Sequence, residues 1–243
     1  MPSERPPVAR RILIVDDEES IRYTFTAFLS DSGNQVFAAA SQSEALQRLA
    51  EFPFDLVFLD IHLGAKQGLD LLEPIRRRLP DCPIVLITGA PDLNTATVAL
   101  RQGVFDYIAK PVRQEALLRV THQALHHREV VEQRERYRIH LEAIFRSVRD
   151  GILLVDRNQL LLEANAAATL FFDLPCGERN LPLGQLPEAV GGPLRDLVRR
   201  VLNNSQTVDS FLLEVASPRR PTRILQLTAV PWAENNGLPV GVV

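Results

Sequence analysis

The chain has 243 residues, of which 46% are hydrophobic, and its formal net charge is −3. This length exceeds the roughly 100 to 150 residues of a usual single domain, so we expect two domains, each with its own core. The charge balance argues against direct nucleic-acid binding, and two distant cysteines argue against a disulfide framework. With no long apolar run and a polar start, we expect a cytoplasmic protein that does not enter a membrane.

In the first half of the chain, short apolar runs typical of strands alternate with segments whose apolar residues have helical spacing. Five apolar runs of strand length occur at Ile12–Val15, Val36–Ala40, Leu56–Leu59, Ile84–Ile87 and Phe105–Ile108. Helical spacing follows each run, at 20–29, 43–52, 69–79, 93–102 and from Arg113 onward. This alternation predicts an α/β fold with a doubly wound, five-stranded parallel sheet, in which functional residues gather at the carboxyl ends of the strands.

Residues 112–150 contain neither glycine nor proline, which predicts one long helix. A seven-residue repeat places mostly apolar residues on one seam. The seam positions are Leu117, Val120, Ala124, His127, Val131, Arg134, Arg138, Leu141, Phe145 and Val148. The pattern favours a parallel dimeric coiled coil; the alternative is a solvated connecting helix whose two ends pack on the two domains.

After Asp150 the sequence no longer alternates between strand and helix patterns in the same way. It predicts a strand, a turn at Arg157-Asn158, a second strand and a short helix that begins near Asn165. A second helix is predicted at 194–203, after a stretch rich in glycine and proline. Three further strands are predicted at 208–216, 222–230 and 238–243, with turns at Pro218 and at 235–237. We therefore expect a smaller α+β domain with an antiparallel sheet, and the apolar end suggests a piece of a longer protein.

Three carboxylates follow two strands of the predicted parallel sheet. Asp16 and Asp17 come directly after the first strand, and Asp60 closes the third. Like charges held this close repel one another unless a cation neutralises them. A hard divalent ion with oxygen ligands does so, and Mg²⁺ uses few carboxylates while leaving room for a phosphate. The cluster therefore predicts a Mg²⁺ site beside an acceptor.

Two further strand ends complete this constellation. Thr88 follows the fourth strand, and Lys110 follows the fifth. A metal, a hydroxyl donor and an ammonium are the groups that a phosphoryl oxygen needs, because phosphoryl transfer depends on positioning and charge neutralisation. Either residue alone would be unremarkable at a strand end. Their convergence with the three carboxylates predicts a phosphoryl site.

Residues 9 to about 125 resemble the receiver domain of two-component response regulators. The motif that carries the resemblance consists of Asp16-Asp17, Asp60, Thr88 and Lys110-Pro111. The resemblance implies that Asp60 accepts a phosphoryl group from a phosphohistidine. It also implies that Asp17, Asp60 and the backbone carbonyl of His62 ligate Mg²⁺, with Asp16 acting through water.

The same resemblance implies a switch. Thr88 and the aromatic residue Tyr107 would move together on phosphorylation, and the Lys110-Pro111 peptide would be cis. One departure is Gly64, which stands in the loop after the acceptor where the family commonly has proline. This substitution leaves the stiffness of the loop and the lifetime of the phosphoryl group open. His62 supplies its carbonyl in the simpler interpretation; in the other, its side chain tunes hydrolysis.

Residues 141–243 resemble a PAS domain, the small sensory fold with a five-stranded antiparallel sheet. The resemblance rests on a lead-in helix, a strand, a turn, a second strand and a helix that Asn165 opens. The segments "LQLTAVPW" and "GLPVGVV" fit the last two strands of that fold. No histidine follows His140, which argues against histidine-ligated haem inside this fold. The sequence around Cys176 is unlike that of photoreactive flavin-binding versions. We expect an empty or metabolite-binding module that relays signals and dimerises.

We therefore expect a receiver at 9–125, a connecting signalling helix at 126–146 and a PAS domain at 147–243. The expected function is phosphorelay signal transduction, with a histidine kinase or phosphotransfer protein as phosphodonor and a homodimer formed through the long helix and the PAS domain. The output domain of the longer protein could be a histidine kinase, a nucleotide cyclase or an ATPase of transcription activators. We favour the histidine kinase. The alternatives of another class are a metal-dependent phosphohydrolase with Asp60 as nucleophile and a scaffold without phosphoacceptor activity.

Overall fold

The computed structural model describes residues 9–64, 66–89, 103–174, 180–217, 220–233 and 239–243. The chain divides into two compact units, Met1–Arg136 and Tyr137–Val243. Among the described residues, no helix is both long enough and apolar enough to cross a bilayer.

The first unit is built on a five-stranded parallel sheet. Its strands are β1 (Arg11–Val15), β2 (Gln35–Ala39), β3 (Leu56–Asp60), β6 (Ile84–Thr88) and β7 (Asp106–Ala109), in the order β2-β1-β3-β6-β7. Between β3 and β6, the short strands β4 (His62–Leu63) and β5 (Lys66–Gln67) pair antiparallel. The predicted doubly wound sheet is confirmed, and each predicted strand lies within one or two residues of the observed one.

Helices cover both faces of this sheet. They are α1 (Glu19–Asp31), α2 (Gln42–Glu51), α3 (Leu72–Arg78, after a 3-10 turn at Gly68–Leu71) and α4 (Gln114–Ser147). Alternate residues of each strand serve opposite faces, because side chains alternate along a strand. One face packs on α1 and α4, and the other on α2 and α3. The helix predicted at 93–102 lies outside the described residues.

The long helix α4 begins two residues later and ends three residues earlier than its predicted span. Leu117, Val120 and Ala124 are fully or almost fully buried in the core of the first unit. These first seam positions therefore pack on the sheet of their own chain, and assigning them to a coiled-coil seam was wrong. Farther along the helix, Leu141 is 65% exposed.

The second unit contains an antiparallel sheet. Its strands are β8 (Leu153–Asp156), β9 (Leu160–Ala164), β10 (Leu181–Pro182), β11 (Val208–Ser217), β12 (Arg220–Ala229), β13 (Pro231–Ala233) and β14 (Pro239–Val242). Five of them form a sheet in the order β10-β9-β8-β14-β13, while β11 and β12 form a hairpin. Val230 and Val243 exchange two backbone hydrogen bonds of 2.9 Å, which join the end of the hairpin to β14. The predicted antiparallel second domain is confirmed.

Two helices, α5 (Ala166–Phe171) and α6 (Glu188–Asn204), cover this core. The predicted start of α6 at Leu194 is wrong, because the helix runs through Gly191, Gly192 and Pro193. Gly191 belongs there for a steric reason, since a Cβ at this position would lie 2.4 Å from the carbonyl oxygen of Leu183. The predicted turns at Pro218 and 235–237, like Cys176, lie outside the described residues.

Asn165 connects the segment that follows α4 to the start of α5. It is 1% exposed, and its Oδ1 accepts hydrogen bonds from the backbone N–H groups of Ile152 and Ala168, at 2.9 and 2.8 Å. Its amide donates to the carbonyl oxygen of Asp150 at 2.8 Å. One buried side chain thus caps α5, as Asn commonly does, and holds the segment that follows α4.

Candidate phosphoryl site

The predicted acidic residues come together at the carboxyl edge of the parallel sheet. One carboxylate oxygen from each of Asp16, Asp17 and Asp60 lies within 4.8 Å of the others. Asp16 is 0% and Asp60 3% exposed, whereas Asp17 faces solvent. The convergence follows from topology, because β1 and β3 are parallel neighbours and end at the same edge.

Burial disfavours the ionised form of the Asp16 carboxyl group. Loss of hydration raises the pKa of Asp16 above its ordinary value, and the hydrogen bonds with Lys110 and with the backbone N–H of Glu18 oppose this only in part. Lys110 Nζ forms an ion pair with Asp16 Oδ2 at 2.9 Å, and no other described group donates a hydrogen bond to this oxygen. A further positive ligand at this oxygen would therefore be favourable.

Lys110 is the cationic centre of the site. Its Nζ donates to Asp60 Oδ2 at 2.8 Å and to Glu18 Oε1 at 2.7 Å, and its side chain is 13% exposed. Burial alone would lower the pKa of Lys110, but the hydrogen bonds that its ammonium donates to carboxylates, with that to Asp60 first, raise the pKa above its ordinary value. The ammonium is therefore charged at any physiological pH. The Lys110-Pro111 peptide is cis, as the resemblance implied.

Thr88 lies on β6, which pairs with the acceptor strand β3, and Tyr107 lies on β7, the next strand of the sheet. Thr88 ends β6 and is 1% exposed, and its carbonyl oxygen accepts the backbone N–H of Lys110 at 2.7 Å. Tyr107 lies on β7 and packs against the apolar cluster on the α2 and α3 face. Its hydroxyl is buried and has no hydrogen-bond partner among the described groups.

Backbone groups of the loop after β3 shape the acidic cluster. His62 N donates to Asp60 Oδ1 at 3.2 Å, and Gly64 N donates to Asp17 Oδ2 at 3.0 Å. Gly64 has a φ of +58°, a conformation that glycine adopts without strain. Gly68 N donates to the carbonyl oxygen of Ile61 at 2.7 Å, which closes the loop on the end of the acceptor strand.

Sequence reasoning found the side chains at the strand ends and missed several of their neighbours. Glu18 was not singled out, although it contacts Lys110 as closely as Asp60 does. The N–H of Gly64 was also missed, since a backbone donor leaves no signature in residue type. Gly68 stands so close to the acceptor that a Cβ there would lie 1.8 Å from the carbonyl oxygen of Asp60.

The donor set suits a hard divalent cation. All three candidate side-chain ligands are carboxylates, and their oxygens are close enough to share one ion. Among the described residues, the buried Asp16 Oδ2 has an ion pair with Lys110 and no further hydrogen-bond donor, so a cation could share this oxygen. The residues present therefore fit a cation of the Mg²⁺ type.

A parallel five-stranded sheet with these groups at its carboxyl edge defines a class of signalling domain, and two family models match the chain. The response regulator receiver domain matches residues 12–122, and the PAS fold matches residues 145–243. The chain therefore carries a response regulator receiver domain over the first of these ranges and a PAS domain over the second. Its first domain is thus a component of two-component signal transduction.

Curated relatives share the first domain. An NtrX-like response regulator of Rickettsia bellii is 42% identical over 109 residues, which are 44% of this chain and 23% of that protein. The alginate biosynthesis transcriptional regulatory protein AlgB of Pseudomonas putida is 33% identical over 185 residues, 75% of this chain and 40% of that protein. This chain therefore spans less than half the length of these relatives.

Solved structures agree on the fold of the first unit. The crystal structure of NtrX from Brucella abortus in complex with ATP superposes with a TM-score of 0.51 and 35% sequence identity. The match covers 53% of this chain and 29% of that protein.

Proposed function

We propose that Asp60 accepts a phosphoryl group from a phosphohistidine and that the resulting change in the receiver is relayed through α4 to the PAS domain. The observation that carries this proposal is the meeting of Asp60 with Lys110 across two strand ends, 2.8 Å apart, beside two further carboxylates. Asp60 Oδ1 accepts the N–H of His62 at 3.2 Å, so both oxygens of the carboxylate are held by donors.

The proposed roles follow from what each group can bind. Asp16, Asp17 and Asp60 would hold Mg²⁺ together with the backbone carbonyl of His62; the ion, when bound, neutralises the charge on the transferring phosphoryl group. Lys110 supplies a second positive charge for a phosphoryl oxygen. Thr88 supplies a hydroxyl donor for another.

The receiver would respond to the new charge as a switch. Once a phosphoryl oxygen takes up the hydroxyl of Thr88, the segment around β6 is drawn toward Asp60. Tyr107, whose hydroxyl has no hydrogen-bond partner among the described groups, is the aromatic side chain on the neighbouring strand that would rearrange with it. Two packings of one core are a common basis for such switches.

The relay through α4 is supported by contacts in the middle of the helix and by a contact just beyond its end. In the first unit, Arg128 and Glu132 of this helix form ion pairs with Asp55 and Arg10. In the second unit, Asn165 holds the carbonyl oxygen of Asp150. We propose the functional divisions 9–125 for the receiver, 126–146 for the signalling helix and 147–243 for the PAS domain.

The partners and the longer protein belong to the same proposal. The phosphodonor would be a histidine kinase or a phosphotransfer protein in the cytoplasm, and a second copy of the chain would pair through the later part of α4 and the PAS domain. For the output, a PAS domain entered by a continuous helix favours a histidine kinase. The names of the NtrX and AlgB relatives instead favour a transcriptional regulator with an ATPase.

A phosphohydrolase is the rival of another class. It would share the acidic cluster, but it needs repeated turnover of added substrate, whereas a switch is modified once. Incubating the chain with acetyl phosphate and Mg²⁺ should add one phosphoryl group, which intact-mass spectrometry counts. The group should be absent from Asp60→Asn and from samples treated with a chelator. Sustained release of phosphate from phosphomonoesters would instead favour the hydrolase. A scaffold would neither take up a phosphoryl group nor release phosphate.

A further inference from the structure

Glu18 is a third carboxylate on the Lys110 ammonium. Its Oε1 lies 2.7 Å from Lys110 Nζ, compared with 2.8 Å for Asp60 Oδ2. The backbone of Glu18 is itself fixed, because its N–H donates to Asp16 Oδ1 at 2.8 Å. The side chain therefore reaches Lys110 from an anchored position directly before α1.

The three carboxylates around Lys110 differ sharply in exposure. The side chain of Glu18 is 55% exposed, whereas those of Asp16 and Asp60 are 0% and 5% exposed. Water readily replaces an exposed ion-pair partner, so such pairs contribute little stability. A buried partner leaves an uncompensated charge when its pair is broken. Glu18 is therefore the partner that Lys110 can release at the lowest cost.

Phosphorylation would create a competitor for the same ammonium. A phosphoryl group adds negative charge and strong acceptor oxygens beside Lys110. Resting on the phosphoacceptor function proposed above, we infer that Glu18 is a positioning residue that holds Lys110 in the unmodified receiver. Glu18 gives up this hydrogen bond when a phosphoryl oxygen arrives on Asp60.

The inference predicts opposite changes in two affinities for Glu18→Gln. Loss of the competing carboxylate should tighten binding of trifluoroberyllate, a phosphoryl mimic, by about two- to fivefold at saturating Mg²⁺. Loss of a negative charge near the cation should weaken binding of Mg²⁺ alone by about two- to fivefold. A variant that merely disturbs the fold would weaken both.

Isothermal titration calorimetry on the whole chain tests this with three proteins, namely the wild type, Glu18→Gln and Glu19→Gln. Glu19 is the matched control, because it carries the same charge one residue further on and is also exposed. The expected result is the opposed pair of shifts in Glu18→Gln, with changes below about twofold in Glu19→Gln. Parallel weakening of both ligands in Glu18→Gln, or equal shifts in the two variants, would overturn the inference.

Failure of the proposed function can be distinguished from failure of the inference about Glu18. If the wild type binds no trifluoroberyllate and takes no phosphoryl group from acetyl phosphate, the phosphoacceptor function itself is wrong, and the inference with it. If the wild type does both and Glu18→Gln behaves like the wild type, only the role of Glu18 is wrong.

Discussion

Arg128 Nε lies 3.2 Å from Asp55 Oδ1, at the edge of the parallel sheet opposite the acidic cluster. Asp55 precedes β3, the strand that ends in the acceptor, and its other oxygen accepts the backbone N–H of Arg11 at 2.8 Å. Glu132, one turn farther along α4, pairs with Arg128 at 2.9 Å. The helix is thereby fixed to the strands of the sheet beyond the point where its apolar contacts end.

Breaking this tie should loosen the middle of α4 without unfolding the receiver. In Arg128→Gln, amide hydrogen exchange at residues 125–136 should accelerate by about five- to thirtyfold, because a partly buried charged hydrogen bond contributes about 1 to 2 kcal/mol. Hydrogen exchange followed by mass spectrometry measures this, and exchange in the strands should stay unchanged. Arg146→Gln is the control, since Arg146 is 72% exposed and pairs with Glu142 within the helix. Equal exchange at 125–136 in the two variants would contradict the anchoring role.

Gly68 should tolerate no side chain. A Cβ at this position would lie 1.8 Å from the carbonyl oxygen of Asp60 and 3.0 Å from its carbonyl carbon, so the backbone of the acceptor would have to move. Gly68→Ala should lower the free energy of unfolding by about 1 to 3 kcal/mol and slow phosphorylation from acetyl phosphate. Urea denaturation and intact-mass spectrometry measure the two effects.

Gly89 offers a control for the same substitution. Among the described residues, no heavy atom lies within 4 Å of the place that a Cβ at Gly89 would take, although this glycine directly follows a strand that borders the site. Gly89→Ala should change the free energy of unfolding by less than about 0.5 kcal/mol. A Gly68→Ala protein as stable as Gly89→Ala would show that the loop adjusts freely, contrary to the packing described.

Cys82 predicts a fall in stability at alkaline pH. Burial raises the pKa of this thiol from 9.0 to about 12, and the nearby guanidinium of Arg128 opposes this only in part. Above pH 9.0 the unfolded thiol loses its proton while the folded thiol keeps it, so the folded state binds more protons. The free energy of unfolding should then fall as pH rises, by up to about 1.4 kcal/mol per pH unit, until the folded pKa is reached.

The contribution of Cys82 is isolated by comparison with Cys82→Ala, because other groups also titrate in this range. Urea denaturation of both proteins at several alkaline pH values should give a steeper decline for the wild type. Parallel declines would mean that the folded thiol ionises as easily as the unfolded one. In a Cys176→Ala background, the buried thiol of Cys82 should react with a maleimide reagent only after unfolding.

The sequence predicted the acidic cluster because its residues stand at strand ends, where period and topology leave little freedom. The apolar run that ends in Asp60, together with the rule that parallel strands end at the same edge of a sheet, was sufficient to predict that Asp60 lies near Asp16. The contact of Glu18 with Lys110 was not predictable in this way, since an exposed side chain after a strand can point in many directions. The same applies to the N–H of Gly64, because its direction depends on the backbone conformation of the loop and not on the residue type alone.

Two errors in the second half of the chain and in α4 also have physical causes. A helix was not expected through Gly191, Gly192 and Pro193, because these residues are poor helix formers; tertiary packing on the carbonyl of Leu183 favours glycine there. The seam positions Leu117 and Val120 fit a seven-residue repeat, but the same spacing also suits a helix packed on a sheet. Periodicity alone does not identify the surface that covers an apolar face.

Trp232 is the one tryptophan in the sequence, and it lies against the backbone of Gly241, where a Cβ would be 2.3 Å from its indole nitrogen. Its emission therefore arises from the PAS domain alone. A change in the wavelength or intensity of that emission when acetyl phosphate is added would report, without any attached dye, that phosphorylation of Asp60 alters the PAS domain.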